Sequence, residues 1–223
     1  SEVQDVVDAL GRLNSESLTS DDLATLGITE TATIASINEA LADSDINSDN
    51  DVAELQAIVS SLAKLEAADD DTTKTVNATD LTNIGVSIPA GVTIAAINDV
   101  LADAHTNVDD TSEVQDVVNA LAKLNAGEAG DNSALNAADL EILGIKGTDG
   151  AAISDAAEIA AINEAINAEG LDITNDVSKL QDIVKSLEDV VAGTVDTTDL
   201  ANIGVSIPAG VTIAAINDVL ADA

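Results

Sequence analysis

DDLATLGI, Asp21 to Ile28, decides the fold because it returns three times: as TDLTNIGV at Thr79–Val86, ADLEILGI at Ala138–Ile145 and TDLANIGV at Thr198–Val205. The glycines that close the four copies, Gly27, Gly85, Gly144 and Gly204, stand 58, 59 and 60 residues apart. Such a period marks a chain of repeats, each a supersecondary unit too small to bury its apolar face alone. A second phrase follows each copy: IASINEAL from Ile34, IAAINDVL from Ile94, IAAINEAI from Ile159 and IAAINDVL from Ile213. A third is SEVQDVVDAL at Ser1, answered by VAELQAIVSSL at Val52, SEVQDVVNAL at Ser112 and VSKLQDIVKSL at Val177. IGVSIPAGVTIAAINDVLADA occurs twice without a mismatch, from Ile84 and from Ile203, as recent duplication would leave it. From the closing glycine to Ile37, Ile97, Ile162 and Ile216 the interval is 10, 12, 18 and 12 residues, so insertions sit between elements.

The first phrase carries its own boundaries. Thr19, Asn77, Asn136 and Asp196 are N-cap types, and Asp22, Asp80, Asp139 and Asp199 follow three residues on, a short-carboxylate capping box. Leu18, Val76, Leu135 and Val195 pair with Leu23, Leu81, Leu140 and Leu200 at hydrophobic-staple spacing. The closing glycine suits a left-handed C′ position, with Ile28, Val86, Ile145 or Val205 after it at C″, so this helix is about two turns long. In the second phrase Ile34, Ile37 and Leu41 share one helical stripe. In the third, Val52, Leu55, Ile58, Val59, Leu62 and Leu65 form the core-facing stripe of the longest helix.

The expectation is an all-α chain: a tandem array of short three-helix bundle repeats of about 58–60 residues, forming an extended rod or fibre. The divisions are residues 1–14, an orphan third helix; 15–68, 69–127 and 128–192, three full repeats; and 193–223, the first two helices of a fourth. The ends look like cuts, or like complementary halves that join copies head to tail. One repeat offers about a dozen aliphatic side chains at roughly 1.5–3 kcal/mol each. Ordering about sixty residues opposes that at about 1.5 kcal/mol apiece, so a lone repeat is marginal and needs neighbours or cations.

Composition narrows the function. There is no Phe, Tyr, Trp, Met or Cys, and Asp and Glu number 42 against 7 Lys and Arg, a formal charge of −35. Without a stacking platform and with a field that repels phosphate, nucleic acid is excluded as a partner. The same field disfavours anionic membranes, and no apolar run reaches the ~18–20 residues of a membrane-spanning helix. No signal-peptide pattern opens the chain, so export would need a signal outside this segment. The absence of cysteine removes thiol chemistry and fits either an extracellular or a cytosolic setting.

One loop offers ligands. Asp43, Asp45, Asn47, Asp49, Asp51 and Glu54 fall at positions 1, 3, 5, 7, 9 and 12 of an EF-hand-like loop, which makes calcium a possible ligand. Ser48 replaces the turn glycine and Asn50 the usual apolar residue, and a plain solvated acidic loop accounts for the same residues. No other cofactor is expected. His105, the single histidine, is a spacer residue without a catalytic partner, and Pro89 and Pro208 stiffen the duplicated loop. Asn38, Asn98, Asn163 and Asn217 recur on the second helix, where a helix-edge or inter-repeat hydrogen bond is the expected role and a ligand contact the alternative. No repeat carries a unique polar constellation, so the chain is expected not to be an enzyme.

The phrase D-L-x-x-[IL]-G-[IV], followed by an IAAIN-type helix and a VQ-x-[IV]-V-x-x-L helix, resembles the short three-helix repeats of giant acidic bacterial surface proteins and adhesins, which are similar to the albumin-binding GA module. The resemblance spans the whole chain and rests on core and cap residues, so no albumin site carries over. It implies an extracellular or cell-surface structural segment, a fibre or adhesin stalk whose partners are neighbouring copies and an unidentified adhesion target. A helical module that binds a host protein or calcium is the alternative.

Overall fold

The computed structural model describes residues 2–29, 32–42, 52–68, 73–103, 108, 110–128, 134–168 and 173–222. Twelve α-helices and no strand are present among them: α1 (Glu2–Leu13), α2 (Ser20–Thr25), α3 (Ile34–Ala42), α4 (Val52–Ala68), α5 (Ala78–Asn83), α6 (Ile94–Asp103), α7 (Thr111–Glu128), α8 (Ala137–Ile142), α9 (Ala156–Ile166), α10 (Val177–Ala192), α11 (Thr197–Asn202) and α12 (Ile213–Leu220). The third phrase forms α1, α4, α7 and α10, the first forms α2, α5, α8 and α11, and the second forms α3, α6, α9 and α12.

The six-residue helices are too short to persist on propensity alone, and both of their ends are closed by local chemistry. Each N-cap side chain accepts from the backbone of its aspartate three residues on, and each aspartate accepts in return from the N-cap N–H. At the other end Gly27, Gly85, Gly144 and Gly204 take φ of 79°, 82°, 73° and 74°. The next N–H then reaches back to the leucine carbonyl, as Ile28 does to Leu23 at 2.8 Å and Val86 to Leu81 at 2.9 Å, the Schellman pattern. Both staple residues are buried at every copy.

The chain forms two compact units. The first comprises Ser1–Ile88 and Ile97–Val118, the second Pro89–Ala96 and Asn119–Ala223, so α6 and α7 each contribute to both. In the first unit α4 packs on α3 and α5, and α1 on α2. Ile37, Leu41, Leu55, Ile58, Leu62, Leu65 and Leu81 are its fully buried aliphatic centre. In the second unit α10 packs on α9, α11 and α12. The long insertion ahead of α9 closes on itself through an isolated antiparallel bridge between Lys146 and Ala152, with Gly150 at φ 79° in the turn.

Candidate functional site at the capping boxes

Each capping-box aspartate is buried, and a long helix meets it. The Arg12 guanidinium of α1 forms a two-pronged ion pair with Asp22 of α2. Lys64 of α4 reaches Asp80 of α5 at 2.5 Å, and Lys123 of α7 reaches Asp139 of α8 at 2.6 Å. Arg12, Lys64 and Lys123 occupy one register of the third phrase, where α10 carries Asp189 instead. There the acceptor Asp199 is held by the Ser186 hydroxyl at 3.2 Å. A hydroxyl at the same register, Ser61, donates to Asp80 at 3.4 Å. Asn83 and Asn202 in turn donate to Ser61 and Ser186, both at 3.0 Å.

Electrostatics follows the geometry. The Arg12 hydrogen bonds hold the Asp22 carboxyl far below the usual carboxylate range, helped by the hydroxyl and N–H of Thr19 and opposed by burial. Asp196 is also lowered, first by the Asp199 N–H that it accepts and then by that of Thr198. Glu158 moves the other way, because burial and then the charge of Glu188 disfavour its ionised form.

The four recurrent asparagines serve the same helices. Asn38 accepts from the Leu18 N–H at 2.8 Å and donates to its carbonyl at 3.0 Å. Asn98 does the same for Val76 and Asn163 for Leu135, while Asn217 donates to the Val195 carbonyl at 3.0 Å. The bond runs within a repeat, from its middle helix to the residue ahead of its first N-cap, and not between repeats as one expected reading had it. A carboxamide presents one donor and one acceptor side by side, which matches the backbone of a single extended residue.

A glutamine of the long helix repeats this device beyond the Schellman glycine. Gln115 accepts from and donates to the backbone of Ser87 at 2.8 and 3.1 Å, and Gln181 does so for Lys146 at 3.0 and 2.7 Å. A further polar knot joins the lead-in of α10 to the preceding repeat. Asn175, with φ of 57°, donates to the Gly91 carbonyl at 2.7 Å and accepts from Thr93 and Asn125. In the first turn of α7, Glu39 of α3 accepts from the Ser112 N–H at 3.2 Å. It lines an open cleft of about 380 Å³ with Ala42, Thr111, Ser112, Gln115 and Asp116.

Sequence reasoning missed the basic, serine and glutamine partners, although the signal was present. Three of only seven cations share one register, and all four third phrases carry the glutamine. Of the loop considered for calcium, Asp43, Asp45, Asn47, Asp49 and Asp51 lie outside the described residues, as does His105. Glu54 sits half-buried in the first turn of α4. Among the described residues no group of three or more His, Asp or Glu is placed to hold a metal ion, and no helix is long and apolar enough to cross a membrane. The arrangement fastens backbone to side chain, and among the described residues Asn217 Oδ1 and Thr111 Oγ1 are buried without a hydrogen-bond partner. Comparison with protein-family models, with curated proteins and with solved structures found no match.

Proposed function

We propose that the chain is a structural repeat segment of a bacterial extracellular fibre or adhesin stalk, a tandem array of three-helix repeats whose task is mechanical continuity. The supporting observation is the recurrence of one junction at all four capping boxes: the long helix that precedes each box supplies a cation or a hydroxyl to its buried aspartate. Each long helix thereby serves its own repeat and the one after it, the nearest-neighbour coupling that lets marginal units stand as an array. Charge-assisted bonds to a buried carboxylate also resist separation, because pulling one partner away strands the other in an apolar setting. The acidic surface keeps such an array soluble.

Small-angle scattering of the dilute monomer tests the array. A compact domain of 223 residues has a radius of gyration of about 17 Å. An array gives a value well above that, with the cross-section of one small bundle, and a compact value would end the reading.

A further inference from the structure

One pair of surfaces stands open, and the chain holds their covered counterparts. The 21-residue run from Ile84 recurs letter for letter from Ile203. In the first copy Val86, Val92 and Val100 are buried, whereas their counterparts Val205, Val211 and Val219 are exposed, Val219 by 71% against 2% for Val100. Sequence cannot explain the difference; only what lies on the run can. In the first copy α7 is pinned along it, Gln115 to the Ser87 backbone and Asn125 to the Gly91 carbonyl at 3.1 Å. In the other full repeats the long helix likewise packs on the middle one, α4 on α3 and α10 on α9.

The missing cover is also in the chain. SEVQDVVDAL of α1 differs from SEVQDVVNAL of α7 at one position. Val114, Val117 and Val118 of α7 are fully buried, while Val3, Val6 and Val7 of α1 are exposed by 76%, 38% and 55%. α1 already packs on α2 through Ala9 and Leu13, as α4 packs on α5, so the open face is the one that α4 turns to α3.

We propose that the α11–α12 face binds α1 of a second copy of this chain, in the register that α7 adopts on the run from Ile84. Gln4, which here donates to Asp8, then clamps the backbone of Ser206, and Asn14 donates to the carbonyl of Gly210. The two faces are different surfaces, one on α1 and one on α11–α12, so the contact is heterologous and adds copy to copy unless a ring closes. Both copies carry −35, and screening therefore governs the association. The proposal rests on the array reading and adds its partner.

Light scattering and sedimentation of the whole chain in about 0.5 M NaCl, where the Debye length is about 4 Å, test it. Wild type grows in mass with concentration and falls back toward monomer at low salt. Val7→Asp disables the α1 face and Val219→Asp the α12 face; both sites are exposed, so circular dichroism of each variant stays that of wild type. Each variant alone is monomeric, and their mixture stops at a one-to-one dimer. Gln4→Glu weakens growth about tenfold through loss of one donor at the clamp. Wild type that stays monomeric at every salt and concentration overturns the docking, as does association that survives in either single variant. An extended monomer that never associates removes this proposal alone, whereas a compact one removes the array on which it rests.

Discussion

At the residue scale the capping-box aspartates show how one carboxylate serves two helices. Where the long helix offers a serine, the short helix offers an asparagine: Ser61 with Asn83 and Ser186 with Asn202. Where it offers Ala9 or Ala120, the short helix carries Thr25 or Ile142. The serine and the asparagine therefore occur together or not at all, and Thr25 opposite Ala9 satisfies its hydroxyl on the Asp21 carbonyl of its own helix, as expected where an unmatched polar group is costly. Ser61→Ala is expected to destabilise by about 1–2 kcal/mol, and Ser61→Ala with Asn83→Ile to recover most of it. Thermal melts by far-UV circular dichroism check this, since the chain has no aromatic chromophore; additive losses would refute the coupling. Asp22 gives a pH test. Its folded value lies below the ordinary ~3.9, so as pH falls the unfolded chain takes up the proton first. Its contribution is complete above about pH 5 and erodes below about pH 4. The melting difference between wild type and Asp22→Asn should be positive at neutral pH and shrink toward pH 2; a constant difference would contradict the Arg12 pairing.

At the element scale the short helices are defined by their ends. Gly85 has φ of +82°, a region that costs an L-residue about 1–2 kcal/mol and a β-branched one more. Gly85→Val should lower the melting midpoint by several degrees and raise hydrogen exchange first in α5. Gly11 is the contrast. It lies inside α1, where an added Cβ meets nothing within 4 Å, and its register holds Ala63 and Ala122 elsewhere. Gly11→Ala should stabilise by about 0.5–1 kcal/mol. Opposite shifts for two glycines of one chain would separate backbone strain from helix propensity, and shifts of one sign would not.

At the scale of the whole molecule, charge dominates. With −35 on 223 residues, self-repulsion opposes every compact state, and the melting midpoint should climb steadily as NaCl is raised from about 0.02 to 0.5 M. A flat response would mean that repulsion is already neutralised locally. Calcium chloride at matched ionic strength separates two readings of Asp43 to Glu54. Stabilisation no greater than that by sodium indicates screening, and a saturable excess indicates a defined calcium site at that loop.

The sequence by itself determined the helical class, the repeat period and both ends of every short helix, because caps, staples and Schellman glycines act over a few residues and are written in residue type. Tertiary structure decided which long helix fastens which capping box, that Asn38 and its counterparts hold their own repeat, and that Gln115 and Gln181 grip backbone. Those contacts join residues 10 to 35 positions apart across loops of unequal length, and no local propensity encodes them. Burial was decided there too: the same 21 residues are covered at Ile84 and open at Ile203, because cover comes from the helix lying on them and not from the residues themselves.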